Sequence, residues 1–276
     1  MMIYYYHQSK AGETMEYHKH KDYELSAVDK ERNQLVSQSN KFIRETQNNL
    51  TLQQQKIILY IISKIKPNDD DLKDYEIDIK DFCKVCGIDE HHSNNHKYLR
   101  ESIMKLHTSA FWFKKDKEIM LLSWINRVSI HADTNKITFR LDDRMKPYLL
   151  ELQSNFTAYE LGNALVLSSK YAIRLYEILK SYAYYGDITF TIEDIREHLQ
   201  IDKDKYPLFN DFKRYIIDKS IAEINKYTDI YIEYTTRRSG RTTKYIDFVV
   251  IQKESTDKSI ARFTRDSKLY KVKENE

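Results

Sequence analysis

One order of elements occurs twice along this chain: strand, short helix, loop, long helix, β-hairpin. The two copies align at a constant offset. Ile77 falls on Phe190, Ile79 on Ile192, Asp81 on Asp194 and Phe82 on Ile195. The same offset carries Ile88 onto Ile201, Asp89 onto Asp202, Leu99 onto Phe212, Ile103 onto Ile216 and Met104 onto Ile217. Upstream it pairs Ile62 with Leu175 and Ile65 with Ile178. No gap is needed, which a duplication explains better than a chance match of helix periods. The expected fold is therefore α+β, with two similar domains over residues 32–150 and 151–254. A flexible arm (1–31) precedes them and a charged tail (255–276) follows.

The local signals agree with that frame. Thr51 and Gln54 have the spacing of a capping box and start a helix whose apolar face holds Ile58, Ile61, Ile62 and Ile65. Pro67 and the acidic turn at 68–71 end it. The segment YEIDI alternates like a strand, and Asp81 is positioned to cap the short helix DFCKVCG. The helix HKYLRESIMKLHT carries the stripe Leu99, Ile103 and Leu106. SAFWFK, EIMLLSWINRVSIHA and KITFRL read as three strands. Asp142 opens a short helical stretch. A strong helix with Tyr171, Leu175, Ile178 and Leu179 on one face stops at Gly186.

Composition excludes several functions. The chain has 276 residues, 41% hydrophobic and 32% charged, enough to bury a core. Its five glycines are too scattered for a phosphate-cradling loop, which disfavours common nucleotide-binding enzymes. No apolar run approaches the ~18 residues of a membrane span, and no secretory leader is legible, so a cytoplasmic setting is expected and no membrane partner. The net charge of +3 implies that any polyanion partner meets local charge only.

Such local charge is concentrated near the end of the second copy. The helix over residues 209–227 has an inner face of Phe212, Ile216, Ile217, Ser220 and Ile224. Asp211, Arg214, Asp218 and Asn225 lie opposite at helical spacing, with Lys213 flanking them. Arg pairs bidentately with guanine, Asn with adenine, and Asp accepts from cytosine, so this face is a candidate base reader. The hairpin that follows turns at Ser239-Gly240 and crowds Arg237, Arg238, Arg241 and Lys244 at its tip. Four cations on one short hairpin repel each other unless a polyanion neutralises them. In the first copy Lys97, Arg100 and Lys105 occupy the exposed helix side, and the hairpin FWFKKDKEIMLLSW is more apolar. Trp112 and Trp124 are expected in core or sheet. The expectation is a pair of helix-turn-helix units, each with a β-wing, on double-stranded DNA, the second unit binding more strongly.

Three longer segments extend the reading. LTLQQQKIILYIISKI, FTAYELGNALVLSSKYAIRLYEILKSY (with Ser169, Tyr171, Arg174, Leu175, Tyr176, Glu177 and Leu179) and FNDFKRYIIDKSIAEINKYTDI resemble the Rep3-type plasmid replication initiators, the RepE-like and RepA-like proteins. The resemblance spans about residues 35 to 253. It implies tandem winged-helix domains that bind repeated origin sequences (iterons) in plasmid DNA. It further implies opening of an AT-rich region, engagement of the host initiator and helicase, and a monomer–dimer equilibrium through the first domain. Arg174 and Tyr176 are expected to be architectural.

Three rivals stand beside this reading. Cys83 and Cys86 with His91, His92 and His96 superficially resemble a zinc knuckle, but both cysteines lie within a short helix, so no metal or other cofactor is expected. A nicking enzyme would need a tyrosine beside a His-apolar-His pair; His18-Lys19-His20 is the only spaced pair, so no catalytic residue is assigned. A winged-helix transcriptional repressor would share the fold and the DNA contacts.

Overall fold

A computed structural model describes residues 26–271, apart from 48, 67, 87–92, 116, 132 and 153. The first half runs α1 (Ala27–Arg32), β1 (Leu35–Ser39), α2 (Asn40–Glu45), α3 (Leu52–Ile62), β2 (Tyr75–Asp78), α4 (Ile79–Cys86) and α5 (Ser93–Thr108). Strands β3 (Ala110–Lys115), β4 (Glu118–Ser123), β5 (Ile125–His131) and β6 (Lys136–Leu141) follow, then α6 (Lys146–Leu149). The second half runs β7 (Phe156–Glu160), α7 (Leu161–Leu165), α8 (Lys170–Lys180), β8 (Asp187–Thr191), α9 (Ile192–His198), α10 (Phe209–Phe212), α11 (Lys219–Tyr227), β9 (Ile230–Ser239), β10 (Thr242–Gln252) and α12 (Ser255–Lys271).

Capping chemistry sets many boundaries. The Thr51–Gln54 capping box is formed, and a second one, Thr191 with Asp194, starts α9. Gly186 and Gly240 take left-handed φ values (+82° and +65°); α8 already ends at Ser181, so Gly186 serves the turn into β8, and Gly240 the β9–β10 hairpin turn. The cap of α4 differs from expectation. Asp78, not Asp81, accepts the backbone amides of Lys80 and Asp81, because its carboxylate sits before the first helical turn.

The duplication is visible in the sheets, which have the orders β2-β6-β5 and β8-β10-β9. The counterpart of the second wing is therefore the β5–β6 hairpin. The β3–β4 hairpin, read from sequence as the first wing, is an insertion between α5 and β5. As expected, one tryptophan is in the core and the other in a sheet: Trp124 is buried under the hairpin, and Trp112 lies in β3, 57% exposed on the outer face.

The constant offset holds for β2–α4 against β8–α9 but not for the helices before them. Thr51 and Ser169 are the N-caps of α3 and α8, and Ser63 and Ser181 end them. Each terminal serine hydroxyl donates back to a carbonyl three residues earlier, Tyr60 and Ile178, at 2.7 Å. Matching those caps moves Ile62 and Ile65 more than a helical turn from Leu175 and Ile178. An apolar stripe that recurs every turn hides such a slip.

The halves are joined rather than strung together. β1 pairs antiparallel with β7, and one continuous core runs through both halves. The buried Glu177 accepts from Gln38 (2.9 Å) and Tyr159 (2.8 Å). Arg174 donates to the carbonyls of Ile43, Thr46 and His198, and Tyr176 to Asp229. Both residues are architectural, as expected.

Both ends also differ from expectation. Residues 27–31 of the assumed arm belong to α1, whose last residue, the buried Arg32, bonds the carbonyls of Val85 and Lys84 (3.0 and 3.1 Å). The rest of the arm, 1–25, lies outside the described residues. The charged tail folds back as α12. Arg265 is 0% exposed and bonds Glu160, Asn163, Asn33 and Asp266, while Arg262 also reaches Glu160. A Cβ on Gly162 would meet the Arg265 guanidinium at 2.6 Å, so any larger residue must displace that buried group from its partners.

Candidate nucleic-acid interface

Residues 209–227 form one continuous helix with a π-turn over Lys213–Asp218 between α10 and α11. The predicted inner face is buried as read: Phe212, Ile216, Ile217, Ser220 and Ile224. The predicted outer face is only partly realised. A π-turn inserts one residue relative to an α-helix and advances everything after it by about 100°. Lys219 and Lys226 therefore take the solvent-facing positions that α-spacing assigned to Asp218 and Asn225, and both are exposed. The same extra residue explains why the pairing of Met104 with Ile217 fails. Met104 is 59% exposed and Ile217 fully buried.

The displaced residues have structural work. Asn225 is turned toward β9, where its amide donates to the Ile232 carbonyl (2.9 Å) and accepts the Ile232 N–H (2.7 Å). This corrects its assignment as an adenine reader: the side chain anchors the first wing strand. Asp218 receives two bonds from Lys213 at 2.9 Å and one from the Tyr234 hydroxyl. Lys213 is thereby neutralised, and bonding to Tyr234 and Asp218 raises its pKa. The five-residue spacing of Lys213 and Asp218 is that of a π-turn, and the ion pair fits it. Asp211 is half-buried; Arg214 and Tyr215 stand outward, with the guanidinium 5.1 Å from the ring centre. The face left to solvent is basic and aromatic: Arg214, Tyr215, Lys219 and Lys226. Sequence reasoning missed the last three because nothing in the sequence marks the π-turn.

At the wing, Thr243 pairs with Arg238 and Tyr245 with Arg237, so Lys244 is the extra residue of a β-bulge. Arg238, Arg241 and Lys244 are exposed and form no ion pair with a described residue. Arg237 differs. It bonds Asp247 at 2.5 and 2.8 Å, and bonds from Arg237 and then Thr189 hold the Asp247 carboxyl down at about 2.

The first unit has the opposite character. Lys97, Arg100 and Lys105 are exposed on α5. Its wing cations are spent internally: Arg127 pairs with Asp74, Lys136 with Glu76 (2.6 Å), and Arg140 with Asp143 (2.9 Å). The inserted β3–β4 hairpin exposes Trp112 beside Leu121, with Ile119 further along.

Cys83 and Cys86 are buried in α4, and burial pushes the Cys86 thiol up to about 12. Among the described residues no group of three His, Cys, Asp or Glu is placed to hold a metal ion; His91 and His92 lie outside them. No helix among the described residues is long and apolar enough to cross a membrane.

Comparison with known families fits this arrangement. Residues 35–180 match the model "Initiator Replication protein, WH1" and residues 191–250 match "Initiator Rep protein, WH2". The chain belongs to the Rep3 family of initiator replication proteins. Its fold is two tandem winged-helix domains. Curated relatives include the "PI protein" of Escherichia coli, 30% identical over 161 residues, which are 52% of this chain and 53% of that protein. An "Uncharacterized 27.6 kDa protein" of Escherichia coli is 20% identical over 75% of this chain and 91% of its own length. The match to the PI protein thus spans about half that relative's length. Arg174 and Tyr176 of the WH1 match reach the WH2 match through the His198 carbonyl and Asp229, whereas Glu177 bonds Gln38 and Tyr159 within WH1.

Proposed function

We propose that this protein initiates plasmid replication by binding repeated double-stranded DNA sites at an origin in the cytoplasm, opening the adjacent duplex and engaging the host initiator and helicase. The observation that carries the reading is the second winged helix. There a helix face of Arg214, Tyr215, Lys219 and Lys226 lies in one unit with a hairpin bearing three cations, Arg238, Arg241 and Lys244, that form no ion pair with a described residue. Arg214 contacts bases; Lys219, Lys226 and the wing tip contact phosphates. Lys97, Arg100 and Lys105 add a weaker backbone contact from the first domain. Asp211 beside Arg214 orients it or accepts from cytosine.

The exposed β3–β4 surface around Trp112, Ile119 and Leu121 supports a second role for the first domain, association with another copy in a monomer–dimer equilibrium. The test is genetic and physical. A plasmid carrying this gene and its flanking DNA is expected to lose replication when the gene is disrupted. The purified protein should footprint regularly spaced repeats in that DNA. Footprints without loss of replication would leave a transcriptional repressor instead.

A further inference from the structure

We propose that Leu208 and Tyr215 read the 5-methyl groups of thymine in the major groove, beside the base contact of Arg214. The inference rests on the DNA-reading function above and specifies what that site selects.

Leu208 is 66% exposed at the start of the helix that carries the reading face. Its carbonyl accepts the amides of Asp211 and Phe212 at 3.1 Å, so its backbone caps α10, but no side-chain cap bond forms. Ser, Thr, Asp or Asn would suit a cap, and a core residue would be buried. Its side chain is thus committed neither to a cap nor to the core and is open to a ligand.

The segment that presents it is firmly held. Tyr206, two residues before, adopts φ +58°, a conformation uncommon for an aromatic residue and kept only where the surroundings enforce it. Arg196 supplies that enforcement. Its guanidinium donates to the carbonyls of Lys205 (2.9 Å), Asp202 (3.4 Å) and Tyr206, and lies 4.5 Å from the Phe212 ring centre. Pro207 fixes the next φ. The Tyr206 ring leans on Tyr215, with centroids 5.9 Å apart. Tyr215 is 39% exposed, with the Arg214 guanidinium and the Lys219 ammonium 5.1 and 5.2 Å from its ring centre.

An apolar side chain on a basic, groove-facing surface has one good apolar target. Phosphates and sugar hydroxyls offer none, and of the four base edges only thymine projects a methyl group into the major groove. Leu208 and the edge of Tyr215 supply the two apolar contacts, with Arg214 between them in sequence and suited to guanine. The selected site should hold thymine close to guanine. Arg196 and Tyr206 act as positioning residues.

The experiment uses the full-length protein to select binding sites from a random duplex pool, then replaces each thymine of the selected site in turn by deoxyuridine, which removes the methyl alone. Burying one methyl corresponds to about fourfold in affinity, so one or two positions should each weaken by about that factor. Leu208→Ala should erase the discrimination at one position, so that the thymine and uracil duplexes bind it equally. Retained discrimination at the other position reports an intact fold. Tyr215→Ala should erase it at a neighbouring position, and Tyr215→Phe should keep it. A selected site whose every thymine tolerates uracil overturns this inference but not the DNA-binding function. So does wild-type discrimination surviving in both alanine variants. A selection that enriches no sequence overturns both.

Discussion

The two wings differ in where their cations spend their charge, and that difference is measurable as salt dependence. In the second wing Arg238, Arg241 and Lys244 form no ion pair with a described residue, while Arg237 is tied to Asp247. In the first, Arg127, Lys136 and Arg140 each have a carboxylate partner. Only unpaired cations release a full complement of DNA counterions, each lowering the slope of log K against log salt by about 0.9. Replacing Arg238, Arg241 and Lys244 by Gln should therefore flatten the slope by about 2.7. Between about 50 and about 200 mM salt, the wild type would then lose about 40-fold more affinity than the variant. Replacing Arg127, Lys136 and Arg140 by Gln should change the slope by less than about 1, because their charge is already compensated. Fluorescence anisotropy on one duplex across a salt series measures both slopes. Equal flattening by the two triple variants would refute the reasoning, since internal pairing would then not decide which wing meets phosphate.

Arg214→Ala should cost about 1–3 kcal/mol at the cognate site and relax preference at one base pair; equal loss on random DNA would make it a phosphate contact. Arg265→Met should destabilise the fold by about 3–5 kcal/mol in urea unfolding, the cost of breaking a buried ion pair. A loss below about 1 kcal/mol would mean that α12 is not docked through it. The Asp247 carboxyl should titrate at about 2 in carboxyl-detected NMR. Its folded pKa lies below the ordinary value of about 3.9, so the stabilisation from its pair with Arg237 is present above that value. It is lost as pH falls through the folded midpoint; a midpoint near 4 would leave Arg237 free for DNA.

Much of the fold was legible because the signals were local and repeated. The capping box at Thr51 and the turn at Ser239-Gly240 are each decided by one or two residues acting on their own backbone. The inner helix face was legible because Phe212 and Ile216 precede the distortion or lie within it, and the apolar run Ile216-Ile217 tolerates a phase change. The outer face was not. Whether Asn225 or Lys226 meets solvent depends on a π-turn stabilised by the Lys213–Asp218–Tyr234 cluster, and Tyr234 lies on another element. The docking of α12 was hidden for a similar reason. SIARFTRDSKLYK reads as a solvated charged helix until Glu160 and Asn163, about a hundred residues earlier, are brought beside Arg265. The first wing was misplaced because the β3–β4 insertion stands where a duplicate would put the hairpin, and strand pairing, not strand order, identifies the equivalent.

The joint between the domains carries a consequence for DNA. Tyr176 and Lys180 of the WH1 match bond Asp229 of the WH2 match, Arg174 bonds the His198 carbonyl and Ser168 bonds Glu223, and one continuous core runs through both domains. α12 adds Lys268 against Glu223 of α11 while Arg265 holds α7 and the end of α1. Breaking such a joint exposes buried charge and core together, so the two units should meet DNA as one body with a fixed separation. A duplex turns once in about 10–10.5 base pairs, so inserting about five between the two contacted segments moves one segment to the far side of the helix. Affinity should then fall to that of the second domain's contacts alone, and Lys97, Arg100 and Lys105 should cease to matter. Inserting about ten should restore the facing but not the distance, and so recover little. Hydroxyl-radical footprints on the spaced duplexes measure this directly. Two undiminished footprints at the five-base-pair spacing would mean that the joint yields, and that the bonds of Arg174, Tyr176 and Lys180 to the second domain are less costly to open than their burial implies.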